Sequence, residues 1–200
     1  MYAKCFSLYK KSIASISNNI NIKAICTDHE SYKYIYEELF NSNFEASQIL
    51  YKNGKRLQES FKEVLLPNNN ASQLKPYGVY LISGGLGKVG LLCAKYLTDL
   101  YNAKVILIGR RKLGENGQND IEQISSQGNI KYFTCDITSY ESVKNIILNL
   151  KNEKIDVNGI IHCAGITTEE QLPYVDFEEF CSVLKPKVLG IYNLDRATRN

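Results

Sequence analysis

Gly85-x-Gly87-x-x-Gly90 stands directly behind the apolar run Val79-Tyr80-Leu81-Ile82, inside Ser83-Gly84-Gly85-Leu86-Gly87-Lys88-Val89-Gly90. Glycines at this spacing serve a tight turn, a close approach of backbone to a pyrophosphate and the seating of a helix on the preceding strand, with the helix N-terminus facing the anion. A bland glycine-rich turn would read the same in isolation. The order strand, turn, helix, strand around it argues for a dinucleotide, because that chemistry needs all four parts. On this reading the amides from Gly84 to Gly90, those of Leu86, Lys88 and Val89 included, hold the pyrophosphate.

Coenzyme choice turns on the end of the next strand, where a carboxylate would accept hydrogen bonds from a ribose 2′-OH. The chain offers Ile108-Gly109-Arg110-Arg111 instead. Two guanidinium groups suit a 2′-phosphate through charge-assisted contacts, so NADP(H) is expected over NAD(H); the competing reading is a solvated strand end. Asp136, in Cys135-Asp136-Ile137, either holds an adenine amino group beside a backbone amide or caps the following helix. In His162-Cys163-Ala164-Gly165 the small residues let backbone pass close under a flat ring, and His162 is either a chemical group or a satisfied strand-end histidine.

These residues need a scaffold of alternating strands and helices. Short apolar or β-branched runs predict strands at Val79–Ser83, Lys104–Ile108, Ile130–Thr134 and Gly159–His162. Between them, Val89, Leu92, Tyr96, Leu97 and Leu100 fall on one face of a helix. Further helices are expected at Asp120–Ser126, Tyr140–Leu150 and Phe177 to about Arg199, the last with Pro186 in its path. The polar stretch 67–73, with one proline and three asparagines, reads as a domain boundary. Ahead of it, Ile22–Cys26 predicts a strand, Ser31–Phe40 a helix, and Gln48–Lys52 with Arg56–Leu66 two strands around Asn53-Gly54, which supplies the positive φ of a hairpin.

Composition narrows the class. With 44% hydrophobic and 22% charged residues among 200, the chain is an ordinary globular one. A net charge of +3 is too small and too dispersed to build a nucleic-acid surface. The six cysteines form no C-x-x-C pair, no metal site is expected, and a reducing cytoplasm is the simplest compartment. No run of 18 apolar residues and no signal-peptide stretch at Met1–Lys11 is present, so neither membrane spanning nor secretion is expected.

Taken together, Ser83 to Gly90, Gly109-Arg110-Arg111, Cys135-Asp136-Ile137, His162-Cys163-Ala164-Gly165 and Lys185-Pro186-Lys187-Val188-Leu189-Gly190 resemble the successive landmarks of the ketoreductase domains of modular polyketide synthases. Those domains belong to the short-chain dehydrogenase/reductase superfamily. Gln48 to Leu66 is similar to the end of the structural subdomain that precedes the catalytic one. The resemblance implies an α/β fold with a doubly wound, Rossmann-type parallel sheet over residues 75–200, incomplete on its C-terminal side. Residues 1–74 would be part of a smaller α/β structural subdomain.

The resemblance also implies a reaction: NADPH delivers hydride to the β-keto group of an acyl chain tethered through phosphopantetheine to an acyl carrier protein, among other synthase domains. The cofactor contacts it implies are Gly84 to Gly90, Arg110, Arg111, Asp136, Ile137, Ala164 and Gly165. Lys187 matches the family's lysine, whose ammonium lowers the pKa of a downstream tyrosine and steadies developing charge. Lys185 is the nearby decoy, and composition alone would make Lys187 a helix-surface residue.

Two departures stand out. Lys88 replaces a usual glycine, and Ile166-Thr167-Thr168-Glu169 lacks the Leu-Asp-Asp of one stereochemical class, which leaves product handedness open. The family's serine, tyrosine and asparagine would fall after Asn200, so residues 1–200 alone are expected neither to reduce a ketone nor to stay monomeric. Two other readings stay open. One is a non-catalytic structural domain; the other is a stand-alone short-chain dehydrogenase, against which stands the long stretch ahead of the glycine turn.

Overall fold

The computed structural model describes residues 23–27, 32–40, 48–64, 73–124, 129–168 and 175–199. It divides into two units, Met1–Asn68 with Glu169–Val175 and Asn69–Thr168 with Asp176–Asn200. In the first, strand β1 (Ala24–Thr27) leads through helix α1 (Tyr32–Phe40) to a parallel partner, β2 (Gln48–Lys52), which turns back into the antiparallel β3 (Lys55–Gln58). Asn53 and Gly54, at φ 51° and 71°, make the hairpin turn their types require. Ile49 and Tyr51 form the small core with Ile25 and Tyr34, and the Tyr34 and Tyr51 rings stack 4.0 Å apart.

One carboxylate ties this unit together. Glu38 is buried and accepts from Arg56 Nε at 2.5 Å, Lys23 Nζ at 2.9 Å and Tyr51 Oη at 2.8 Å. The Arg56 guanidinium, with help from Lys23 and Tyr51, overcomes the opposing effect of burial and holds the Glu38 carboxyl down to about 2.

β3 is shorter at its far end than the run Arg56–Leu66 predicts. The strand ends at Gln58, residues 59–64 have no regular structure, and Leu65 and Leu66 lie outside the described residues. All of β3 is exposed, and Phe61 and Val64 are exposed as well, so no buried face pulls the run onward. At the other end β1 starts two residues later than expected, and Ile22 lies outside the described residues.

The second unit alternates β4 (Val79–Ser83), α2 (Lys88–Tyr101), β5 (Lys104–Gly109), α3 (Glu115–Ile124), β6 (Ile130–Thr134), α4 (Tyr140–Asn152), β7 (Gly159–His162) and α5 (Phe177–Thr198). Its sheet has the order β6-β5-β4-β7 with every pair parallel. Both faces are covered, which is why the strands read as unbroken apolar runs. Leu81, Ile106 and Ile108 meet Val143, Ile147 and Leu150 of α4 and Leu194 of α5 on one face, while Tyr80, Ile82, Val105 and Leu107 meet Ala94, Leu97 and Ile121 on the other. Each buried valine, leucine or isoleucine among them contributes about 1.5–3 kcal/mol. The chain crosses from β6 at one edge to β7 at the other, and this reversal opens a crevice at the carboxyl ends of the strands.

Helix α2 exists where expected but turns a different face inward. Val89, Leu92, Tyr96 and Leu100 are 50–67% exposed, and only Leu97 of that set is buried. The inward stripe is Gly90, Ala94, Leu97 and Thr98. Small residues win because the helix begins almost on top of the glycine turn: a Cβ on Gly90 would lie 2.6 Å from the Gly84 carbonyl oxygen. Helix α3 begins five residues before the expected Asp120, and Ser126 lies outside the described residues. With Ile121 as its one buried side chain, it leaves almost no periodic trace.

Helix α5 runs unbroken through Pro186. Among the described residues no helix is long and apolar enough to cross a membrane. The described cysteines (Cys26, Cys93, Cys135, Cys163 and Cys181) are free, and burial pushes the Cys135 thiol up to about 11, where it stays protonated. Cys5 lies outside the described residues.

Candidate functional site

A cleft of about 380 Å³ opens at the carboxyl ends of β4, β5, β6 and β7, within the usual range for a ligand pocket, about 300–1,000 Å³. Gly84, Leu86 and Gly87 line it, as do Arg110 and Arg111, Asp136 and Ile137, and Ala164 and Gly165. Residues more than 80 positions apart therefore share one cavity. Of the remaining residues expected to bind cofactor, Gly85 and Gly90 are buried, Gly85 against Leu107 and Gly90 against the Gly84 carbonyl, and do not line the cleft. Lys88 and Val89 are exposed in the first turn of α2.

The turn is built by close backbone packing. Gly84 adopts φ +69°, and a Cβ on it would stand 2.7 Å from the Ala164 amide nitrogen; on Gly85 it would stand 2.5 Å from Leu107 Cβ. Gly85 N–H donates to the Ile108 carbonyl, and Gly87 N–H to that of Gly84. At the N-cap of α2, Gly87 has no side chain to take the first-turn amides, which leaves them for an anion. Ala164 is small because it meets Gly84.

Across the cleft, Arg111 Nη2 donates to the Leu86 carbonyl at 3.2 Å, so this guanidinium already leans on the glycine turn. Asp136 is not the helix cap: Ser139 holds that place on α4, accepting from the Ser142 amide. Instead, Asp136 Oδ1 accepts from the Thr138 amide and hydroxyl at 2.9 and 2.8 Å.

Residues 78–200 match the KR domain family model. The chain belongs to the KR domain family. It is similar to the polyketide synthase PksN of Bacillus subtilis (strain 168), at 32% identity over 177 residues that cover 86% of this chain and 3% of PksN. PksL of the same organism is 33% identical over 157 residues, 77% of this chain and 4% of PksL. The crystal structure of a ketoreductase domain from the bacillaene assembly line superposes with a TM-score of 0.81 at 26% identity, covering 97% of this chain and 47% of that one. The chain thus spans a small fraction of the synthases and about half of the ketoreductase structure. All three comparisons put it among the ketoreductase domains of polyketide synthases.

In this KR domain Lys185 and Pro186 line the cleft together with Ser182, whereas Lys187 does not. Lys187 lies along the rim, its Cε 3.7 Å from where a Cβ on Gly165 would sit and its Nζ donating to the Ile166 carbonyl at 3.1 Å. A helix turns 100° per residue, so two lysines two positions apart cannot face the same way. Gly190 brings α5 close to Ile137 and to the end of β7, since a Cβ there would meet Ile137 Cδ1 at 2.5 Å and His162 Cε1 at 3.6 Å.

Sequence reading missed the bond between Ser83 and His162. Ser83 is fully buried, and its Oγ lies 2.7 Å from His162 Nδ1, joining the ends of β4 and β7. His162 Nε2 is buried with no hydrogen-bond partner among the described residues. Burial lowers the imidazole pKa, against a smaller upward pull from the Pro186 carbonyl. Folding thus favours the neutral ring, while the unfolded chain takes up a proton below about 6.5. Stability should therefore fall as pH drops through that value. Melting temperatures at pH 7.5 and 5.5 are expected to differ more in the wild type than in His162→Asn, and equal differences in both would remove this account.

Proposed function

We propose that this chain forms the cofactor-holding part of an NADPH-dependent ketoreductase that reduces the β-keto group of an acyl chain carried on an acyl carrier protein, beside other domains of a polyketide synthase. The observation that carries the reading is the convergence of the glycine turn, Arg110, Arg111 and the Ala164-Gly165 loop on one cleft. Residues 75–200 would be the N-terminal, NADP-binding part of the catalytic subdomain and residues 1–74 the C-terminal part of the structural one.

The cleft fits the group. Uncapped first-turn amides of α2 suit a pyrophosphate, and two guanidiniums at the end of β5 suit a 2′-phosphate. Asp136 would hold the adenine amino group beside the Ile137 backbone. Gly165 leaves the far end of the cleft open beside the stem of Lys187. When bound, the reduced coenzyme supplies hydride to the keto carbon. Lys187 would place its ammonium beside a tyrosine brought by later residues, lowering the phenol pKa so that its proton passes to the new alkoxide. None of the 200 residues is assigned as that acid, so the chain by itself should hold nucleotide without turning over ketone.

Titration with NADPH and NADH tests the cofactor assignment. A charge-assisted hydrogen bond contributes about 1.5–3 kcal/mol, so NADPH is expected to bind about tenfold or more tightly than NADH. Arg110→Ala with Arg111→Ala should bring the two affinities together. Equal affinities in the wild type would defeat the assignment.

A further inference from the structure

Tyr132 was no part of the motif set, yet it reaches the residue on which coenzyme choice depends. It stands in β6 in register with Leu107 of β5 and lines the cleft. Its Oη donates to the main-chain carbonyl of Arg111 at 2.5 Å. Gly109 makes this reach possible, because a Cβ there would lie 3.0 Å from the same Oη. Burial raises the phenol pKa above its ordinary value, so the hydroxyl keeps its proton and remains a donor.

Residue 111 is thereby held at two points: its carbonyl by Tyr132, and its guanidinium by the Leu86 carbonyl at 3.2 Å. The carbon frame of Tyr132 packs against the cluster that holds Leu107 and Ile121, a task a phenylalanine would perform equally. The hydroxyl therefore has a separate effect. An arginine gives up side-chain freedom when a ligand fixes it, and loose backbone adds to that cost. Backbone fixed beforehand lowers this cost.

We propose that Tyr132 is a positioning residue for coenzyme choice: its hydroxyl fixes the turn from Gly109 to Arg111 so that the guanidiniums of Arg110 and Arg111 meet the adenosine 2′-phosphate already in place. This rests on the NADP reading above.

The test is calorimetric titration of the 200-residue chain and of Tyr132→Phe with 2′,5′-ADP and with 5′-ADP, neither of which requires turnover. One hydrogen bond is lost, so Tyr132→Phe should weaken 2′,5′-ADP about three- to tenfold and leave 5′-ADP within about twofold. Equal losses on both nucleotides would mean a merely structural role and overturn the proposal, as would no loss on either. A wild-type chain that binds the two nucleotides equally would remove the NADP reading itself, an outcome distinct from a preference that survives in both proteins. If Tyr132→Phe fails to fold, Gly109→Ala carries the test, since its Cβ would crowd Oη at 3.0 Å. The same selective loss is expected there, and unchanged selectivity would overturn the proposal.

Discussion

Gly84→Ala should abolish measurable nucleotide binding and lower the melting temperature of the second unit. At φ +69° an alanine carries a left-handed penalty of about 1–2 kcal/mol. Its Cβ would also stand 2.7 Å from Ala164 N, 2.8 Å from Ala164 Cα and 2.8 Å from Cys163 C. All three are backbone atoms, so no rotamer change relieves them. Overpacking of this kind costs about 1–3 kcal/mol, for a combined loss of about 2–5 kcal/mol.

The loop must move to relieve the clash, and this loop lines the same cleft as Arg110 and Arg111. Gly114→Ala is the matched control, because nothing lies within 4 Å of a Cβ there and its φ is not in the left-handed region. Thermal melts and NADPH titrations of the two variants should separate cleanly. Wild-type affinity in Gly84→Ala would show that the Gly84–Ala164 approach does not shape the site.

Glu38→Gln should destabilise the first unit by about 3–5 kcal/mol, the usual effect of removing one partner from a buried ion pair. The Lys23 and Arg56 side chains, 9% and 33% exposed, would then face a neutral amide where a carboxylate had held them. The pH dependence is set by the same contacts. With its folded pKa near 2 and an unfolded value of about 4.3, Glu38 contributes stability that is complete at neutral pH and fades as pH falls from about 4.3 towards 2. Denaturation followed by tyrosine circular dichroism at pH 7 and pH 3 should show the gap between wild type and Glu38→Gln narrowing at the lower pH. A gap that stays constant would mean that Glu38 is not ionised in the folded chain.

Much of the second unit was legible because its strands are covered on both sides. Val79–Ser83, Ile130–Thr134 and Gly159–His162 stand where their apolar runs put them, and β5 extends one residue further. The inward face of α2 was not legible from periodicity, because seating against the turn favours Gly90 and Ala94 over the larger Val89 and Leu92. The glycine spacing reported the turn and not the partner it touches, since Ala164 lies far along the chain.

Ser83–His162 and Tyr132–Arg111 are pairwise contacts between distant segments, with no local period to announce them. A weak sequence sign of the second was Gly109, where a Cβ would lie 3.0 Å from the phenol oxygen. In the first unit the hairpin was readable from Asn53-Gly54, but nothing in the order of residues pointed to Glu38 as the centre of a charge cluster.

The sheet order β6-β5-β4-β7 also bears on biosynthesis. A ribosome releases β4, α2 and β5 together, so the half of the crevice that they border is available early. The strand that completes the other side of β4 arrives only with residues 159–162, joining Ser83 to a histidine 79 positions later. Until then one edge of β4 presents bare peptide N–H and C=O groups to any neighbouring nascent chain. Between translation of Gly109 and of His162 that edge stays open to mispairing even though β5 already covers the other.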